Sequence, residues 1–300
     1  MPNDANKRYD AVFAGGGVRA IAYVGALEVL EAWGYTFRRC IGTSAGAMIA
    51  ALVTAGYKAS ELRSILMRFD FASLRDSAPE DIVPAFGPLL SLLKDHGIYK
   101  GARLQEWLGG LLEARGVRTF ADLRDETGEY RLRAVTADIA RGRLVVLPDD
   151  LHYYGHNPDA FSPALAVRMS AALPFFFEPV ALKPRKAPFA EAVFVDGGVA
   201  LNFPFDLCRS AGLPVLGFRV AGPDTERPRN VRGPIAYASA LMETLLGARD
   251  RMTAESPQVI TITVPNRKAT DFDLSAGQKK RLMACGRTAV VDWLAARAKD

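Results

Sequence analysis

The chain has 300 residues, 38 Lys and Arg against 33 Asp and Glu, a formal net charge of +5 and a hydrophobic fraction of 49%. Together with a mean hydropathy of +0.04, this describes a globular protein able to bury a large core, and no apolar run approaches the length of a membrane span. Three scattered cysteines (Cys40, Cys208, Cys285) and three scattered histidines (His96, His152, His156), with no H-E-x-x-H pattern, argue against a disulfide framework or a zinc site, so no metal and no cofactor is expected.

The segment Met1–Asp10 is polar and lacks the apolar core of a signal peptide. The expected site of synthesis and action is the cytoplasm, with signal-independent export as an effector left open. Tyr9–Ala14 then reads as a buried strand. It is followed by Gly15-Gly16-Gly17-Val18-Arg19 and a helical pattern over Ile21–Trp33 that stops at Gly34. Strand, glycine loop and helix form the architecture of a backbone anion site. The loop is a poor dinucleotide fingerprint, because Ala20 replaces the last glycine, and no Lys-Ser/Thr pair makes it a P-loop.

A second strand, about Thr36–Ile41, leads into Gly42-Thr43-Ser44-Ala45-Gly46. Two residues without Cβ flanking a serine, between a strand and the helix Ala47–Val53, allow a strained turn that exposes the hydroxyl at a helix N-terminus. The bland alternative is an ordinary N-cap serine in a glycine-rich turn. Tyr57–Gly97 is helical but broken by prolines, and its apolar part, Val83–Leu93, is expected either to form an apolar cover or to pack in the core. Helices are predicted over Ala102–Ala114 and Phe120–Leu123, strands over Tyr130–Thr136 and Arg143–Leu147, a loop over Leu151–Pro163, and a short helix over Pro163–Leu173.

Ala192–Val195 is an apolar strand delivering Asp196-Gly197-Gly198. A carboxylate at a strand end is where open α/β sheets place reactive groups. A helix after Pro204, strands over Pro214–Val220 and Val259–Val264, a helix over Pro234–Met252 between them, and a last helix over Ser275–Ala298 complete the chain. Strands alternating with helices predict a single α/β domain over residues 1–300. Arg19 falls in the first helical turn, where the dipole disfavours a cation unless an anion is near. The dispersed positive charge suits an anionic membrane surface or substrate, and no nucleic-acid motif is present.

The glycine loop, the Ser44 elbow and the Asp196 turn, in that order, resemble the patatin-like phospholipase family. Ser170-Ala171-Ala172-Leu173-Pro174, Asn202-Phe203-Pro204 and the late Asp271–Leu274 stretch extend the resemblance over about residues 9–294. Ala14 stands where many members carry Asp, and Ala20 where many carry Gly. The resemblance implies a three-layer α/β/α sandwich around a mostly parallel sheet, and hydrolysis of phospholipids or other acyl lipids by a Ser–Asp dyad. Ser44 would be the nucleophile and Asp196 its base. Gly15, Gly16, Gly17 and Val18 would line the oxyanion hole, Arg19 would face a head-group phosphate or hold that loop, and Ser170 would play a supporting part. Gly42 and Gly46 would shape the elbow, and Gly197 and Gly198 the turn after the base. A homodimer is allowed. Three rivals are weighed against it: an inactive lipid- or partner-binding protein, a Ser-His-Asp hydrolase, and a nucleotide-binding protein. No His follows Asp196, which removes the usual Ser-acid-His order.

Overall fold

The computed structural model describes residues 7–75, 99–183, 191–208, 212–222, 240, 244, 256–265 and 269–298. The apolar segment expected over 83–93, and all but two residues of the helix expected over 234–252, lie outside them. The architecture is α/β: a mixed, mostly parallel sheet with helices packed around it.

Five strands run parallel in the order β3 (Leu132–Asp138), β2 (Thr36–Thr43), β1 (Arg8–Phe13), β7 (Val215–Ala221), β8 (Val259–Thr263). The apolar run of β1 is buried on both faces, as a central parallel strand requires. Ala11 and Phe13 join the large core, while Val12 joins a smaller cluster with Ile41, Val135 and Phe203 on the opposite face. Beyond β3 the sheet turns antiparallel through β4 (Arg143–Leu147), β6 (Ala192–Asp196) and the short edge strand β5 (Val180–Leu182). The last was not expected from the sequence, since three residues, two half-buried around one exposed, are too few to give a periodicity to read.

The pairing around β3 positions the site. Residues 134 and 135 of β3 pair with β4 on one side and with β2 on the other. Residues 136–138 pair with β4 and with β6. Strands β2 and β6 therefore share one edge of β3 and approach each other head-on. Thr43 lies opposite Val135, and Asp196 lies opposite Thr136, the next residue. Strand β2 runs two residues past its expected end because Gly42 still pairs with Phe13, and Thr43 with Val135.

Helices α1 (Ile21–Ala32), α2 (Ala45–Thr54), α3 (Ala59–Arg68), α4 (Ala102–Glu113), α5 (Pro163–Ser170) and α6 (Ala276–Arg297) surround the sheet. Helix α5 ends three residues before the expected stop, because Leu173 N–H turns back to Ala171 O at 2.8 Å. A 3-10 turn over Asp149–Tyr154 takes up the start of the loop expected over Leu151–Pro163. No helix among the described residues is long and apolar enough to cross a membrane.

Helices α1 and α6 touch backbone to backbone. A Cβ on Gly25 would fall 1.8 Å from the Met283 carbonyl oxygen, and one on Gly286 would fall 1.9 Å from that of Ala22. Neither carbonyl can yield without moving its helix. Gly25→Ala is expected to destabilise the fold by about 1–3 kcal/mol through overpacking. Gly110→Ala, on α4 with nothing within 4 Å of its added Cβ, should instead stabilise by up to about 1 kcal/mol. Urea midpoints of the two variants check the opposite signs.

Candidate active site

The turn from β2 into α2 is a single residue. Ser44 sits at φ 55°, ψ −127°, and α2 begins at Ala45. A left-handed φ on a residue with a Cβ is strained, and such strain collects at functional sites. The neighbours explain how it is held. A Cβ on Gly42 would lie 2.5 Å from Gly46 backbone atoms, and one on Gly46 would lie 2.4 Å from Phe13 O, so strand and helix close as tightly as only glycine permits. Ser44 N–H donates to Ser170 Oγ at 2.9 Å, and the Ser170 hydroxyl donates to Val135 O at 2.5 Å. Fully buried at the end of α5, Ser170 thus ties the elbow to β3. Neither bond is readable in sequence, since both depend on which strand α5 packs against.

The Ser44 side chain caps no helical amide. This sets aside the ordinary N-cap reading. The Ser44 side chain instead interacts with the Asp196 carboxylate, lowering that group's pKa. Asp196 ends β6, with its N–H on Ala172 O at 2.8 Å and its Oδ1 accepting from Gly198 N–H at 2.8 Å. A Cβ on Gly197 would lie 2.1 Å from Val135 O, so this turn, too, presses onto β3. Only 3% of Asp196 is exposed. Burial pushes its pKa up to about 6, and the interaction with Ser44 and the bond from Gly198 pull it partly back.

The glycine loop packs against the same serine: a Cβ on Gly15 would come 3.4 Å from Ser44 Cβ. Its four amides divide into two kinds. Gly15 N–H donates to Asn202 O at 3.1 Å, and Val18 N–H to Ala269 O at 2.9 Å. The amides of Gly16 and Gly17 meet no acceptor among the described residues. Gly17 holds φ +55° with Ala269 O pressed against it, a position closed to any side chain. Arg19, half-buried, donates from Nε to Gly16 O at 3.2 Å. The loop is therefore anchored by the carbonyls of Asn202 and Ala269 and by the Arg19 side chain. Carbonyl anchors carry no sequence signal, because every residue has one.

The two described histidines are engaged elsewhere. His152 Nδ1 lies 2.5 Å from Asp149 O, and His156 Nε2 lies 3.0 Å from Lys183 O. Both are partnered with exposed backbone, and His96 lies outside the described residues.

Comparison with known proteins shows the family. The model of the family described as patatin-like phospholipase matches residues 11–209. The protein YqhO of Bacillus subtilis is 40% identical over 283 residues, covering 93% of this chain and 95% of its own. The protein named probable lipid hydrolase 463L of Invertebrate iridescent virus 6 is 24% identical over 211 residues, and the match spans only 61% of its length. Among solved structures, VipD of Legionella pneumophila superposes with a TM-score of 0.58 at 17% identity, covering 97% of this chain and 67% of that one. At that identity the likeness concerns the fold.

Proposed function

This chain belongs to the patatin-like phospholipase family, and from that premise we propose that it is a serine esterase of phospholipids or other acyl lipids. Ser44 Oγ attacks the ester carbonyl carbon, and its proton passes to the Asp196 carboxylate. The carbonyl π pair moves onto oxygen, which the amides of Gly16 and Gly17 receive. Collapse of the tetrahedral intermediate breaks the carbon–oxygen bond, and the departing alcohol or lysolipid takes the proton back. Water then repeats the sequence on the acyl-enzyme through the same carboxylate.

The observation that carries this reading is the head-on placement of the Ser44 and Asp196 strand ends along β3, with Ser44 interacting with a carboxylate that is almost fully buried and raised to about 6. A water-exposed aspartate near 4 is a weak base toward a serine hydroxyl, and desolvation strengthens it. The divided glycine loop supports two oxyanion donors, with Gly15 and Val18 spent on holding it in place. The bond from Arg19 to Gly16 supports the loop-holding role over a direct grip on phosphate. We take residues 1–300 as one catalytic domain, and the net charge of +5 as a bias toward anionic lipid surfaces.

Mass spectrometry of extracted lipids incubated with the protein tests the reading. Free fatty acid and lysolipid should accumulate, and a folded Ser44→Ala variant should abolish both products. Equal lipid profiles for the two proteins would favour the inactive, lipid-binding alternative.

A further inference from the structure

We propose that Phe175 is a substrate-contacting residue that receives the acyl chain and sets the chain-length preference. The inference rests on the esterase reading above. Among the described residues only Ser44 and Phe175 combine a side chain with a positive φ, at 55° and 69°. Phe176 N–H bonds Leu173 O at 3.0 Å, so Leu173-Pro174-Phe175-Phe176 is a hydrogen-bonded four-residue turn. With Pro at its second position and a left-handed third residue, it is a type II turn, whose third position favours Gly because any Cβ there is strained. A phenylalanine in that place is the costly choice, and the residue remains 37% exposed.

The turn is tied to the reacting groups on both sides of its origin. Ser170, three residues before Leu173, bonds Ser44 N–H, and Ala172, one residue before, accepts from Asp196 N–H. The two rings that follow are committed inward: Phe176 and Phe177 both pack against Phe272, and Phe177 also meets Tyr99. Phe175 is thus the one ring of the three left at the surface, projected by a strained turn that is anchored to both Ser44 and Asp196. An aromatic side chain open to solvent, on a segment bonded to the groups proposed to cleave acyl esters, is suited to a flexible hydrocarbon chain, which needs apolar contact and no hydrogen bonds.

The test uses the full chain with Phe175→Gly, which removes the ring and relieves the backbone, and Phe175→Ala, which removes the ring and keeps the strain. Soluble nitrophenyl esters from acetyl to decanoyl, below their aggregation concentrations, provide the kinetic series. The decanoyl-to-acetyl ratio of kcat/KM should fall about tenfold in both variants. Calorimetric binding of a decanoyl ester to Ser44→Ala provides a readout independent of turnover, and adding Phe175→Gly should weaken that Kd about tenfold. Phe175→Gly should also melt above Phe175→Ala, as the left-handed turn requires. An unchanged ratio and unchanged Kd would overturn the proposal. So would lost sedimentation with anionic vesicles while the ester series stays intact, which would make the ring a membrane anchor. Weakened Kd in a protein that cleaves no ester would refute the esterase reading and leave the chain-binding role of Phe175 standing.

Discussion

Asp196→Asn is expected to lower ester hydrolysis by about 10²–10⁴-fold, the range a general base supplies, while the protein becomes harder to unfold at neutral pH. The two effects have one cause. In the folded chain the Asp196 carboxyl is almost fully buried and titrates near 6 rather than at its ordinary 3.8. At pH 7 the native state therefore holds a charge that burial opposes. Asn keeps the shape and an acceptor oxygen for Gly198 N–H but removes both the charge and the basicity. Activity is lost, and the cost of a buried ionised group goes with it. Replacing His96, His152 and His156 together by Gln should leave most of the hydrolysis intact. Initial rates and melting curves of both variants, at pH 7.5, decide the matter. A folded triple-His variant as inactive as Ser44→Ala would replace the dyad by a triad.

The pH dependence should run in opposite directions for activity and stability. The attacking form needs Asp196 ionised, so kcat/KM should climb about tenfold per pH unit below about 6 and level off above it. Stability has the reverse sign. Because the folded pKa lies above the unfolded one, the native state binds the proton more tightly, and this contribution is complete below about pH 4. It fades as pH rises through about 6. A shift from 3.8 to about 6 corresponds to about 3 kcal/mol. In Asp196→Asn this part of the stability profile should vanish, so the difference between the two denaturation profiles from pH 4 to 7 isolates it from the other carboxylates. Asp125, held well below the ordinary range by bonds from Thr127 and Arg39 despite its burial, works the other way and loses its contribution only in strong acid.

Much of the fold was legible in the chain. Strands β1, β4 and β6, helices α1 and α4, and the long α6 with its Ser275/Gln278 capping box all follow from apolar periodicity bounded by glycine, proline or a capping residue. The short edge strand β5 and the early end of α5 did not. The first has too few residues for a period, and the second is decided by a local backbone bond at Leu173.

For the site, the sequence by itself determined the chemical types and their local settings. A serine between two glycines after a strand, and an Asp-Gly-Gly at the end of another strand, mark the groups we propose to react, because tight backbone approach demands residues without Cβ. What only the tertiary structure decided is that these groups meet. Strands β2 and β6 run head-on along one edge of β3, which places Thr43 opposite Val135 and Asp196 opposite Thr136. Register on a shared strand depends on long-range pairing that no local pattern encodes. The same holds for Ser170, whose hydroxyl joins Ser44 N–H to Val135 O, and for the loop amides. Which of the four are left to receive an oxyanion depends on where the carbonyls of Asn202 and Ala269 come to rest. Backbone carbonyls are identical in every residue, so only their positions in the folded chain distinguish a spent amide from an open one.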